Sequence, residues 1–376
     1  MKFTIDTSSF SRELFKVMGI AGSKSTMPIL HNALLEAHDD GSVTIAATDN
    51  ELTVVTRASA GVESPGRVTV RAKDLYDVVK GIRSESVNVE RADDGLGVLV
   101  VGGTRRARLV GMDPAEYPSL PRIEGVTPVK VPTTKLLRVI DRVLPSISTD
   151  EGRPNLTGAF TRLQPSGAFS MVSTDGHRLS QAGTRVPGFD GDPGPLANGI
   201  IIPRKGLAEL RRTVDTTEPE VEISTKGSSI VFAYGNTRMY VRLIDGTFPN
   251  FAQVIPVEKP ERRAIANRSE MLSTIKAVSQ FSSAKTNNVR LSVEGDALSF
   301  FASSETGELD DNVHVQYSGK PVKAGYNYRF LVDVLSVLSC EKVSVEIIDT
   351  LSPTILHELE GEDGDESLFI VMPMRI

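Results

Sequence analysis

Cysteine is almost absent from this sequence. Among 376 residues there is one, Cys340, so no disulfide can form within the chain and a reducing compartment is favoured. No apolar run approaches the roughly 18 residues of a membrane span, and residues 1–6 alternate like a strand instead of forming a signal peptide's apolar core. We therefore expect a cytoplasmic protein with no membrane contact.

Histidine is scarce too, and its spacing bears on metal binding. The five histidines show no paired ligand spacing, and Cys340 stands alone, so a zinc site is not expected. The stretch 19–25, Gly-Ile-Ala-Gly-Ser-Lys-Ser, resembles a phosphate-binding loop only superficially. It lacks glycine directly before Lys24, and it follows a helical pattern where such a loop would follow a strand. We expect neither a metal nor a cofactor.

Length and charge limit the class of protein. A chain of this length exceeds what one hydrophobic core usually organises, so two or three domains are expected. With 40% hydrophobic and 24% charged residues, the composition is that of an ordinary globular protein. The net charge of -6 argues against a protein that coats nucleic acid with its whole surface, but it allows a locally basic face.

The same order of elements occurs three times along the chain. In each third, a strand end precedes a helix whose apolar residues have i, i+4, i+7 spacing, near residues 10, 136 and 271. Strands are predicted to follow each helix, among them residues 28–35 and 154–160. Second helices are predicted at 73–82, 205–214 and 330–338. Each third of the chain is therefore predicted to contain two consecutive β-α-β-β-β units. This predicts an α+β protein of three similar domains, 1–127, 128–256 and 257–376, with proline-rich linkers at 118–128 and 249–260.

One motif in the second domain has the composition of an active site. Residues 173–179 place Ser173, Asp175, His177 and Arg178 around Gly176, which allows a hydrolase or transferase hypothesis. Weaker copies at 47–52 and 303–307 indicate instead a repeated strand end. In this interpretation Asp175 accepts backbone N–H bonds and Gly176 adopts a positive φ.

Charge is distributed unevenly between helices and loops. The acids gather at 39–40, 305–311 and 358–366. Such a distribution predicts either a basic helical face for a phosphate backbone or ordinary solvated amphipathic helices. The basic residues on the predicted helices are Arg12, Lys16, Lys73, Lys80, Arg83, Lys135, Arg138, Arg142, Arg204, Lys205, Arg211, Arg212 and Lys276.

The C-terminus is apolar almost to its last residue, with the sequence Phe-Ile-Val-Met-Pro-Met-Arg-Ile at 369–376. Most chain ends are polar and poorly ordered. This one is expected to be a docked terminal strand or the lining of a site.

Several strings in this order resemble the bacterial DNA polymerase III β subunit family, the replicative sliding clamps. They are Met-Lys-Phe at 1–3, Pro-Ile-Leu at 28–30, Thr-Asp-Gly-His-Arg-Leu at 174–179, Ile-Pro-Arg-Lys-Gly at 202–206, Asp-Gly-Thr-Phe-Pro at 245–249 and Val-Met-Pro-Met-Arg at 371–375. The resemblance implies that the chain is half of a dimeric ring around double-stranded DNA, with helices lining the hole and sheets outside. It also implies a noncatalytic processivity factor for DNA replication.

The resemblance also implies three sets of site residues. The dimer interface would use Ala107 and Leu109 against Gln280 and Phe281. DNA-facing positions would be Lys24, Arg71, Lys73, Arg204 and Lys205. A cleft for short peptide motifs of the replicative polymerase α subunit, the clamp loader, other polymerases and repair proteins would be lined by Leu156, Thr174, Gly176, His177, Arg178, Leu179, Pro249, Val254, Ile370, Met372, Pro373, Met374 and Arg375. An enzyme using Asp175, His177 and Arg178, and a repeat scaffold that does not bind DNA, are the alternatives.

Overall fold

The computed structural model describes residues 1–21, 25–92, 95–121, 127–256, 260–359 and 365–375. The chain divides into two compact units. One comprises Met1–Thr134 with Lys205–Leu243, and the other comprises Lys135–Arg204 with Ile244–Ile376. Each unit is built on one large sheet.

The first third of the chain contains two helices, α1 (Thr7–Met18) and α2 (Ala72–Lys80). Its strands are β1 (Lys2–Asp6), β2 (Asn32–His38), β3 (Ser42–Thr48), β4 (Leu52–Ser59), β5 (Gly61–Ser64), β6 (Gly66–Arg71), β7 (Ser86–Arg91), β8 (Gly97–Gly102) and β9 (Arg105–Met112).

The middle third contains α3 (Thr133–Val143) and α4 (Arg204–Thr213). Its strands are β10 (Val129–Pro132), β11 (Gly158–Leu163), β12 (Ala168–Thr174), β13 (Arg178–Arg185), β14 (Ile200–Pro203), β15 (Glu220–Lys226), β16 (Ser229–Tyr234) and β17 (Thr237–Arg242).

The last third contains α5 (Arg268–Ser279) and α6 (Tyr328–Val337). Its strands are β18 (Arg262–Asn267), β19 (Asn288–Glu294), β20 (Ala297–Ser304), β21 (Gly307–Ser318), β22 (Val322–Asn327), β23 (Lys342–Ile347), β24 (Thr354–Leu359) and β25 (Glu366–Val371).

The element order confirms the predicted repeat. Each third reads β-α-β-β-β twice, and the first third adds only the short strand β5. Alternating sequence explains the strands: in β7, Val87 and Val89 are fully buried between exposed neighbours. Helix spacing explains α1, where Phe10, Leu14 and Val17 are fully buried and the Asp6 carboxylate accepts the Ser9 N–H at the N-cap.

Both sheets are antiparallel in the strand pairs that the described residues form. The first unit's sheet has the order β10-β15-β16-β17-β4-β3-β2-β6-β9-β8-β7-β1-β5, and the second unit's has the order β14-β11-β12-β13-β25-β24-β23-β18-β21-β20-β19-β22. The middle third therefore contributes strands to both sheets. In each sheet, one third of the chain continues the hydrogen-bond ladder of another, through β17 with β4 and through β13 with β25.

Two short segments differ from the sequence prediction. Residues 28–35 and 154–160 were expected to be strands throughout, but Pro28–His31 and Pro154–Leu156 are 3-10 turns that precede β2 and β11. Proline stands first in both turns. Its fixed φ and missing N–H suit the first helical position and not a strand interior.

No helix in the described part of the chain is long and apolar enough to cross a membrane.

Candidate functional site

The motif at 173–179 is a tight turn between β12 and β13. The Asp175 Oδ1 atom accepts the N–H groups of His177 (2.9 Å) and Arg178 (3.1 Å), and Gly176 has a φ of +92°. The Thr174 hydroxyl accepts the Gly176 N–H at 3.1 Å. The interpretation of this motif as a turn is confirmed.

Arg178 is fixed by contacts on several sides within the second unit. Its Nε donates to Asp175 at 3.0 Å and its Nη1 donates to Asp333 at 2.6 Å. Its third nitrogen donates to the Pro145 carbonyl, and the guanidinium lies 4.4 Å from the ring centroid of Phe330. The side chain is only 11% exposed, so Arg178 holds the turn against α6.

The geometry does not support nucleophilic catalysis at this turn. The Ser173 side chain is fully buried, and its hydroxyl donates to the Val143 carbonyl at 2.6 Å. The Asp175 carboxylate is engaged by backbone N–H groups and by Arg178. Because a triad needs the base to accept the nucleophile's proton and the acid to orient the base, the enzyme hypothesis is wrong for these residues.

An apolar cluster lies beside the turn and brings together three of the predicted cleft residues, Leu156, Leu179 and Ile370. Three aromatic rings form part of this cluster and of its partly buried margin. Phe160 and Phe248 are stacked with centroids 5.5 Å apart, and Phe251 lies 6.2 and 6.3 Å from them. Partly exposed aromatic surface of this kind suits apolar anchors of a partner.

The C-terminal segment forms one side of this region. β25 pairs with β13 and with β24, so the expected docked terminal strand is present. Beyond it, the Met372 N–H donates to the His177 carbonyl at 2.9 Å and the Met374 N–H donates to the Gly325 carbonyl at 2.7 Å. Two backbone hydrogen bonds thus hold the tail beside the turn.

The remaining predicted cleft residues differ in their exposure. Thr174, Met372, Pro373 and Met374 are half-buried, whereas Gly176, His177, Pro249, Val254 and Arg375 are exposed. Val254 closes the 3-10 turn Phe251–Val254, which follows Phe248 in the chain.

Among the described residues, sequence reasoning missed three of the six buried members of the apolar cluster and all five members at its partly buried margin. Strand pairing explains some members, because Phe160 on β11 lies between Val172 on β12 and Ile201 on β14 and all three therefore share one face of the sheet. The missed members are Val172, Ile201 and Phe248, with Phe160, Ile244, Phe251, Ile255 and Leu368 at the partly buried margin.

The predicted DNA-facing cations differ in their surroundings. Arg71 and Lys73 are exposed at the start of α2, and Arg71 Nε lies 3.9 Å from an Asp74 oxygen. Lys205 forms an ion pair with Asp49. Arg204 donates from Nη1 to the carbonyls of Leu144 (3.0 Å) and Ile147 (2.9 Å). Lys24 lies outside the described residues.

Two arginines of α3 do not belong to a solvent-facing basic surface, which corrects the expectation from helix composition. The Arg142 side chain is 2% exposed and is paired with Glu358, and Arg138 is paired with Asp365. The Thr184 hydroxyl donates to the second Asp365 oxygen at 2.7 Å. These cations neutralise buried carboxylates, which otherwise would be costly to desolvate.

The predicted interface residues lie on strand β9 and at the end of helix α5. Ala107 and Leu109 are half-buried on β9, which pairs with β8 along its length but with β6 only through Gly111 and Met112. Gln280 is the exposed C-cap of α5, and Phe281 follows it, half-buried against the core of the last third. Among the described residues, no cluster of three or more His, Cys, Asp or Glu side chains could hold a metal.

The sequence matches three family models in succession. They are the N-terminal domain of the DNA polymerase III beta subunit at residues 1–121, its central domain at 130–250 and its C-terminal domain at 252–375. The beta sliding clamp of Caulobacter vibrioides is 28% identical over 382 residues, covering 100% of both chains.

Solved structures agree with these matches. The Pseudomonas aeruginosa sliding clamp bound to griselimycin superposes with a TM-score of 0.90 at 27% identity, covering 100% of both chains. The Bacillus subtilis sliding clamp gives a TM-score of 0.91 at 25% identity, covering 100% of this chain and 99% of that one.

Three domains of one α+β design, together with an apolar cluster bordered by the C-terminal tail, define the class of DNA polymerase sliding clamps. Such proteins are noncatalytic and act as processivity subunits in DNA replication. The chain belongs to the DNA polymerase III beta subunit family.

Proposed function

We propose that two copies of this chain close head to tail into a ring around double-stranded DNA, and that the apolar cluster beside the Thr174–Arg178 turn receives short peptide motifs. The observation that carries the proposal is this cluster, whose aromatic margin is partly exposed and whose border is fixed by Arg178 and the tail. The proteins proposed to carry these peptide motifs are the replicative polymerase α subunit, the clamp loader, other polymerases and repair proteins.

The cleft residues are proposed as a set in which buried and exposed members differ in role. Leu156, Leu179 and Ile370 would form the apolar floor, because desolvated anchors supply most of the affinity of such grooves. His177, Pro249 and the other exposed members would set the register at the rim. The griselimycin complex of the Pseudomonas aeruginosa clamp supports a ligand-binding surface in this family.

Deleting residues 372–376 tests the cleft, because it removes the tail's two hydrogen bonds to the His177 and Gly325 carbonyls. We expect affinity for a peptide taken from the polymerase α subunit to fall at least tenfold in a fluorescence polarisation titration. Leu351→Ala serves as the control, since Leu351 is 71% exposed in a loop of the last third. Unchanged affinity in the truncated chain would contradict the assigned cleft.

The ring closure is supported by two strand edges of opposite charge. On the side of β9 away from β8, the described strand pairing is with β6 at Gly111 and Met112, and the part of the strand before them carries Arg105, Arg106 and Arg108. On the side of β21 away from β20, residues 307–314 have no strand partner in the described chain, and they carry Glu308, Asp310 and Asp311. Backbone N–H and C=O groups at a strand edge are available for hydrogen bonds to another strand. We therefore propose that β9 of one copy extends the sheet at β21 of the other. The proposed contact includes or adjoins Ala107, Leu109, Gln280 and Phe281.

Charge reversal tests this interface. We expect Arg105→Glu with Arg106→Glu to give monomers in sedimentation velocity at low salt, because like charges would then face each other across the edge. Adding Glu308→Lys and Asp310→Lys to the same chain should restore the dimer. Dimers in the first variant, or no restoration in the second, would refute the pairing.

The basic positions Lys24, Arg71, Lys73, Arg204 and Lys205 are proposed to face the duplex through phosphate contacts that carry no sequence information. The domain boundaries are proposed at 127/128 and 256/257. Cytoplasmic localisation is proposed because the DNA and the polymerase that such a clamp serves are found there in bacteria.

A further inference from the structure

The turn that borders the proposed cleft has a structural copy in the N-terminal third. Between β3 and β4, the Asp49 Oδ1 atom accepts the N–H groups of Glu51 (3.0 Å) and Leu52 (2.7 Å). The Thr48 hydroxyl accepts the Asn50 N–H at 3.1 Å, and Asn50 has a φ of +75°. These bonds repeat one for one those of Thr174 to Arg178, with Asn50 at the position of Gly176.

The strand that borders each turn also ends in the same way. At the first turn the Arg242 N–H donates to the Glu51 carbonyl at 2.8 Å, and at the second the Met372 N–H donates to the His177 carbonyl at 2.9 Å. The two pairs occupy corresponding positions. β17 aligns Val241 with Leu52, and β25 aligns Val371 with Arg178.

An apolar cluster accompanies the first turn, as it does the second. We call it the N-terminal hollow, and its core is Leu30, Leu34, Ala46 and Tyr117, with Ile29 beside them. Met112 and Leu120 are partly buried at its margin. Met27, next in the chain to the turn that carries Ile29 and Leu30, is 47% exposed. Methionine side chains at a margin adapt to varied ligands.

Correspondence of strand positions shows that the two clusters are built alike. Leu30 stands where Leu156 stands, in the 3-10 turn before the second strand of the domain. Met112 pairs with Thr69 on β6 as Ile244 bridges Ile201 on β14. Tyr117 fills the place of Phe248, and its hydroxyl donates to the Asn32 carbonyl at 3.2 Å.

The charge at the turn distinguishes the hollow from the cleft. Where the cleft has His177 and Arg178, the hollow has Glu51 and Leu52. Glu51 is exposed, and so is Glu116, which directly precedes Tyr117. These two exposed carboxylates would attract a cationic neighbour of an apolar anchor, whereas the Lys205 charge at the turn is paired with Asp49.

We propose that the N-terminal hollow is a second docking surface, which takes a short extended peptide with an apolar anchor preceded by basic residues. The proposal rests on the proposed function, because it treats the cleft as a peptide site and the hollow as its copy. Selection between the two surfaces would come from charge, with the hollow favouring basic peptides.

The methionines provide separate reporters for the two surfaces. Met27 and Met112 report on the hollow and Met372 and Met374 report on the cleft, while Met171, Met239 and Met271 are fully buried controls. The full-length dimer, labelled with ¹³C at the methionine methyl groups, would be titrated by NMR with two heptapeptides. Both contain a Leu-Leu pair, preceded in one by two lysines and in the other by two glutamates.

We expect the lysine peptide to shift the Met27 and Met112 signals saturably, with at least fivefold higher affinity than the glutamate peptide. Glu51→Lys should reduce the affinity of the lysine peptide at least fivefold, whereas Glu294→Lys, an exposed change at the end of β19, should not. Static Met27 and Met112 signals, equal response to both peptides, or no effect of Glu51→Lys would overturn the proposal.

Failure of this proposal and failure of the proposed function give different spectra. If Met372 and Met374 respond to a polymerase-derived peptide while Met27 and Met112 respond to none, the cleft stands and the second surface is refuted. If only Met27 and Met112 respond, the second surface stands and the cleft assignment is refuted.

Discussion

Removing one member of the Arg142–Glu358 pair is expected to destabilise the second unit strongly. The two side chains are 2% and 6% exposed. The Arg142 Nη2 atom donates to Glu358, and the Nε and Nη1 atoms have no hydrogen-bond partner among the described residues. Glu358→Gln would leave a buried guanidinium without its countercharge, at a cost of about 3–5 kcal/mol.

The double substitution Arg142→Met with Glu358→Leu should be far milder, since it removes both charges together and fills similar volume. Among the described residues, the donors that lose their carboxylate acceptor are the Ser367 hydroxyl (3.1 Å) and the Ser339 N–H (3.4 Å). We expect the double variant to unfold within about 2 kcal/mol of the wild type.

Urea unfolding followed by circular dichroism would measure both variants, with thermal unfolding as a second readout. A loss of about 3–5 kcal/mol corresponds to a fall in Tm of about 6–20 °C for a cooperative unit of about 200 residues. If Glu358→Gln costs under about 1 kcal/mol, or the double variant costs as much as Glu358→Gln, the reasoning about this pair is refuted.

Three further outcomes follow from single contacts. Tyr117→Phe should cost about 1 kcal/mol in urea unfolding, because the buried hydroxyl donates to the Asn32 carbonyl; no loss would contradict that bond's role. Asn267 caps α5 by accepting the Ser269 and Glu270 N–H groups at 3.0 and 3.1 Å. Asn267→Ala should cost about 1 kcal/mol and Asn267→Ser much less, and equal losses would show that the cap is unimportant. Burial raises the pKa of Glu13, but hydrogen bonds from Lys16, at 2.8 Å, and from the Thr56 hydroxyl lower this pKa by more than burial raises it. The pKa of Glu13 therefore lies below its ordinary value of 4.5. The ionised Glu13 therefore stabilises the fold above that pKa and loses this contribution as the pH falls through the depressed folded value. The fall in wild-type Tm from about pH 5 to about pH 3 should be steeper than that of Glu13→Gln; parallel profiles would refute the assignment.

The fold could be predicted from the sequence because local patterns agree with the global repeat. Helix spacing at Phe10, Leu14 and Val17 and strand alternation at Val87 and Val89 produced elements where they were expected. The turn at Asp175 was also predictable, since Asp and Gly in that order favour side-chain acceptance of N–H groups and a positive φ.

The surroundings of the charged residues could not be predicted in the same way. Arg138 and Arg142 have the helical spacing of a basic face, but their partners Asp365 and Glu358 lie more than 200 residues later and meet them only in the folded unit. The prediction of the apolar cluster was incomplete for a similar reason, because Ile201 and Phe248 join the cluster through the packing of separate strands and loops. Composition specifies which charges exist, while tertiary structure decides which of them face solvent.

Topological retention on DNA tests the proposed ring most directly. The variant for this test carries Arg106→Cys and Asp310→Cys, one on each of the two proposed edges. It also carries Cys340→Ser, which removes the native thiol. The dimer is loaded on circular DNA and then crosslinked. We expect it to stay bound at high salt and to dissociate when the DNA is linearised. Equal retention on circular and linear DNA, or loss from both, would contradict a closed ring that encircles the duplex.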